Sequence, residues 1–129
     1  MKVSFEEFLL RKTRLKPNTK VKIITGSMEP FIHTGEIVEC SPVAFEDVEI
    51  GSPIIFWNDN KLICHFLMVK YSKNDKDYFI TKGLGARHQD KASSVDFYFA
   101  VVTNPKISKL KRKLFNFLSR FSSRIETEK

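Results

Sequence analysis

The sequence predicts a mainly β domain with a short N-terminal helix and a C-terminal basic amphipathic helix. Three observations point there. Between residues 20 and 99, short runs rich in Val, Ile, Phe and Tyr alternate with Gly, Asn, Asp and Ser turn signals. Apolar residues at three- and four-residue steps occur near both ends of the chain. The 129 residues are 42% hydrophobic and 29% charged, with 12 Phe, which is enough apolar material for one core.

Each element has its own signal. Ser4 and Glu7 have capping-box spacing, and Phe5, Phe8 and Leu9 share one face, so a helix is expected over residues 4–12. Pro17 and Asn18 end that unit. Val21, Ile23 and Thr25 then alternate with other residues, and further strands are expected over 37–40, 53–57, 62–69 and 78–81. Turn residues at 33–35, 58–61 and 72–75 separate them, and 57–69 reads as a hairpin. The expected organisation is a β domain over 1–104 and a helical tail over 105–129.

The tail carries the charge. Residues 106–129 hold eight basic and two acidic side chains, against 14 and 13 in residues 1–105, within a formal total of +7. A nearly neutral body argues against a nucleic-acid-binding domain, and no helix-turn-helix pattern precedes the strands. In the tail, Leu110, Leu114, Phe117 and Phe121 form part of an apolar stripe amid Lys and Arg. Such a helix suits an anionic membrane surface, with those four residues facing lipid. It equally suits packing on the body or on a partner. No apolar run is long enough to cross a bilayer, and the N-terminus lacks a secretory apolar core. A cytoplasmic location is expected, peripheral on the inner membrane face if the tail binds lipid. Cys40 and Cys64 form no CxxC and no zinc-finger spacing. Two free, mostly buried thiols are the simpler expectation, with no metal and no cofactor.

The segment richest in chemical information is Thr25-Gly26-Ser27-Met28-Glu29-Pro30, followed by Gly35-Glu36-Ile37-Val38. Taken alone, a serine in Gly-Ser-x-x-Pro is an ordinary turn residue. In context the segment resembles the nucleophile box of type I signal peptidases, whose clan includes the self-cleaving LexA-type repressors. The endoplasmic-reticulum and archaeal branch has SGSMEP where this chain has TGSMEP. Gly51-Ser52-Pro53-Ile54-Ile55-Phe56 resembles the next box, Cys64-His65-Phe66 falls at the general base, and Thr81-Lys82-Gly83 resembles the Thr-Lys-Gly-Asp box. The match runs from about Val21 to Val102. It departs at Leu84 and Phe66, where the family has Asp and Arg, and at Glu36 and Ser52, where it has Asp. Asp90 stands six residues beyond Leu84, where that branch has a second acidic residue.

The resemblance implies a coiled antiparallel β-fold of the signal-peptidase/LexA type and a serine endopeptidase activity. A serine hydroxyl needs a base as it attacks, and imidazole titrates in a suitable range. Ser27 is thus the expected nucleophile and His65 its base, with Asp90 holding the ring in one tautomer. A strand histidine taken alone is more often a packed, hydrogen-bonded side chain. The oxyanion donors would be the Ser27 N–H and, by the resemblance, the Thr25 hydroxyl, although Thr25 is equally an ordinary strand residue. Met28 and Phe31 would line an apolar substrate cleft. Lys61, Lys70 and Lys82 are alternative bases that do not align with the family position. The expected partner is a peptide or precursor protein from which a leader is cut. The rival expectations are a non-catalytic descendant that binds extended peptides, and a membrane-binding module with the body as scaffold.

Overall fold

The computed structural model describes residues 2–23, 28–29 and 32–103. One helix, α1 (Phe5–Thr13), precedes the strands β1 (Thr19–Lys22), β2 (Ile37–Ser41), β3 (Pro53–Asn58), β4 (Lys61–Lys73), β5 (Lys76–Lys82), β6 (Ser93–Ser94) and β7 (Tyr98–Val102). All neighbouring strands pair antiparallel, in the order β1-β2-β7-β3-β4-β5-β6. The sheet is curled into a half-barrel. The expected C-terminal helix over 105–129, with Leu110, Leu114, Phe117 and Phe121, lies outside the described residues.

The Ser4 hydroxyl caps α1 by accepting from the Glu7 N–H at 3.1 Å. Only half of the expected capping box forms, because the Glu7 carboxylate turns to Arg11 Nη2 at 3.2 Å. Phe8 is fully buried, and Phe5 and Phe8 pack against the Trp57 ring. The Trp57 indole N–H donates to the Val3 carbonyl at 2.7 Å, tying the N-terminal segment to β3. The helix is thus held by aromatic packing rather than by its own short length, which alone would leave it marginal.

The β3–β4 hairpin turns through Asp59 and Asn60, both at positive φ, with Asn58 opposite Lys61. The β4–β5 hairpin repeats this with Asn74 and Asp75 between Lys73 and Lys76. Two consecutive left-handed residues make the type I′ turn that matches strand twist, and Asn and Asp tolerate that conformation well.

Strands β3 and β4 are buried on both faces. Ile55, Cys64, Phe66 and Ala100 belong to one apolar cluster, which also holds Phe8, Ile23, Met28 and Val38. The alternating residues Ile54, Phe56 and Leu67 belong to a second cluster with Phe45, Val48, Phe79 and Tyr98. Alternation along a strand sends these sets to opposite sides of the sheet. The second cluster is covered by the 3-10 turn at Phe45–Asp47, which Lys70 Nζ fastens by donating to Val48 O at 2.6 Å.

Candidate active site

His65 sits on β4 directly opposite Ile54 of β3. That register places it on the face of the second cluster, where its ring meets the Phe56 ring edge-on at 5.8 Å. Its side chain is 12% exposed. The alternation that buries Cys64 and Phe66 on one side therefore presents His65 on the other.

Asp90 comes from the segment between β5 and β6. Its Oδ2 lies 2.5 Å from His65 Nδ1. The same oxygen accepts from the Thr81 hydroxyl at 2.6 Å, and the Asp90 N–H donates to the Thr81 carbonyl at 2.8 Å. An ionised carboxylate only accepts hydrogen bonds, so Nδ1 carries the proton in this pair and Nε2 is left as the basic nitrogen. Burial by itself pushes the Asp90 carboxyl up. Hydrogen bonds from His65 and Thr81, with the charge of His65, outweigh it and hold the carboxyl below its ordinary value.

The expected nucleophile Ser27, the expected oxyanion donor Thr25 and the expected cleft residue Phe31 lie outside the described residues. The described residues on either side of 24–27 are Ile23 and Met28, both in the core. Ile23 is held by the Glu36 carbonyl, which accepts its N–H at 2.9 Å. Met28, expected to help line an apolar cleft, is 1% exposed and packed in the first cluster.

The positions that depart from the resembled motifs also have a place. Phe66 is buried in the first cluster and Leu84 packs against it, so both positions are filled by apolar packing. Ser52 is buried, and its carbonyl accepts from Leu67 N–H at 2.8 Å. Lys70 donates to the carbonyls of Phe45, Glu46 and Val48 and is occupied in fastening that turn. His33 is an exposed partner of Glu29 at 3.5 Å.

Two features add to the sequence expectations. Thr81, placed in the sequence only as the first residue of the Thr-Lys-Gly segment, is 1% exposed and fastens Asp90 at two points. Gln89, next to Asp90, has a buried Nε2 with no partner among the described residues. Among the described residues, no group of three His, Cys, Asp or Glu side chains is placed to hold a metal ion. Among them, too, no helix is long and apolar enough to cross a membrane.

Comparison of the chain with protein-family models, with curated proteins and with solved structures found no match.

Proposed function

We propose that the protein is a serine endopeptidase of the signal-peptidase/LexA type, with Ser27 as nucleophile, His65 as base and Asp90 as the residue that orients His65. The observation that carries this reading is the short contact between His65 Nδ1 and Asp90 Oδ2, at the two positions where the motif order asks for a base and its orienting acid. The curled antiparallel sheet is compatible with that fold type, and the order of the four boxes supports it further.

In this mechanism Ser27 Oγ attacks the scissile carbonyl as its proton passes to His65 Nε2. The oxyanion takes hydrogen bonds from the Ser27 N–H and the Thr25 hydroxyl. The C–N bond then breaks, and His65 returns the proton to the leaving amine. Water attacks the acyl-enzyme, gives a proton to Nε2, and the Ser27 Oγ–C bond breaks with return of that proton to Ser27. Throughout, Nδ1–H donates to Asp90, which stabilises the imidazolium. The substrate is a peptide or precursor protein. The basic tail is proposed to bring the enzyme to an anionic membrane face.

A serine-directed phosphonate at pH 8, with the adduct mapped by mass spectrometry, tests the reading. Labelling at Ser27 that disappears in Ser27→Ala and His65→Ala is the expected result. Absence of labelling, together with an extended peptide that binds and survives intact, would replace it with the second reading. That reading is a non-catalytic peptide binder, and the apolar packing of Phe66 and Leu84 favours it.

A further inference from the structure

Asp90 lies in an irregular segment whose residues Gly85 to His88 are exposed. Its side chain is itself 36% exposed. A carboxylate in such a place gains by turning to water, yet it faces His65. Thr81 accounts for this. It stands on β5 opposite Leu67, which is two residues from His65 along β4. His65, Leu67 and Thr81 therefore share one face of the β4–β5 ladder, and the ladder fixes Thr81 relative to His65. Thr81 is fully buried and β-branched, so its hydroxyl has little rotational freedom.

We propose that Thr81 is the positioning residue of this site, its carbonyl anchoring the Asp90 backbone and its hydroxyl turning Oδ2 onto His65 Nδ1. The proposal rests on the reading of Ser27, His65 and Asp90 as a hydrolytic site, although the clamp itself needs no substrate. Its chemical effect follows from the shared acceptor. Two donors on Oδ2 lower that oxygen's appetite for a proton. When the imidazolium forms, the proton on Nδ1 stays with His65, and the proton on Nε2 goes to the leaving group. Without the hydroxyl, the carboxylate is free to swing toward solvent and the ring loses its preference for the Nδ1–H tautomer.

The test is a long-range 1H–15N correlation spectrum of the imidazole nitrogens in the full chain at pH 8, with His65 assigned by its loss in His65→Gln. Wild type and Thr81→Ser are expected to show the Nδ1–H tautomer. Thr81→Val, and Thr81→Ala should the valine variant be poorly folded, are expected to show a raised Nε2–H population. In parallel, the phosphonate labelling rate at Ser27 should fall roughly 10- to 100-fold in Thr81→Val, the worth of one hydrogen bond to a charged group, and recover in Thr81→Ser. A well-folded Thr81→Val or Thr81→Ala protein with an unchanged tautomer overturns the proposal, whatever the labelling shows. A tautomer series that behaves as expected in a wild-type protein that never labels and leaves a bound extended peptide intact would leave the clamp standing and remove the hydrolytic reading.

Discussion

His65 Nδ1 and Asp90 Oδ2 meet at 2.5 Å across 25 residues of chain, and the contact gives the carboxylate a lower affinity for protons in the folded state than in the unfolded one. The sign of the consequence is fixed by linkage. Around the ordinary carboxyl value the unfolded chain binds more protons, so folding stability rises with pH through that range. The contribution is fully present above about pH 4 and is lost as pH falls through the folded value. Urea unfolding of wild type and Asp90→Asn at pH 6 and pH 3 is expected to show wild type ahead at pH 6, with the gap shrinking at pH 3. A gap that stays constant would show that the carboxylate's charge is not what stabilises the contact.

Lys70 is expected to matter for stability and not for chemistry. Its ammonium serves three carbonyls of the 3-10 turn and lies 5.4 Å from the centre of the Phe45 ring. Lys70→Met keeps the apolar stem and strands those carbonyls. The expected loss is about 1–3 kcal/mol in urea unfolding. Phosphonate labelling at Ser27, measured where the variant is folded, should be unchanged. Loss of labelling with unchanged stability would instead make Lys70 the base.

The parts of this fold that announce themselves locally are those held by local chemistry. The helix cap at Ser4, the Asp59-Asn60 turn and the alternation around His65 are all set by residues within a few positions of one another. Strand β7 is the counterexample. Tyr98–Val102 lies between β2 and β3, and its place depends on partners 42 to 62 residues away. Its apolar run follows Phe97 with no turn residue to mark a boundary, so the β-rich window read from the sequence closes at Phe99. Site legibility divides in the same way. His65 and Asp90 were reachable through the order of motifs. Thr81 falls in one of those motifs, but its contact with Asp90 was not legible, because it comes from a register with Leu67 and from a loop that folds back over β5.

Cys40 and Cys64 are both free and buried in the first cluster. Burial pushes the Cys40 thiol up to about 11. Burial, with a smaller effect from Cys40, pushes Cys64 up to about 12. The thiolate is the reactive species, so at pH 8 at most about one Cys40 in a thousand is ionised. Iodoacetamide at pH 8 is expected to leave both cysteines unmodified in the folded protein, and to alkylate both in urea, as read by intact mass. Rapid modification of folded protein would mean that the first cluster opens on the timescale of the reaction.

Gln89 gives the opposite kind of prediction, a gain from removing a polar group. Its Nε2 is buried with no partner among the described residues, and an unsatisfied buried donor costs about 1–3 kcal/mol. Methionine is unbranched, similar in length and free of that donor, and it adapts to irregular packing. Gln89→Met is therefore expected to raise stability by about 1 kcal/mol, seen as a higher urea midpoint with an unchanged slope. The His65–Asp90 contact should survive, because Thr81 and not Gln89 holds the carboxylate. A lower midpoint would show that the amide has a hydrogen-bonding partner in solution, such as a bound water, and that it helps to fix the segment that carries Asp90.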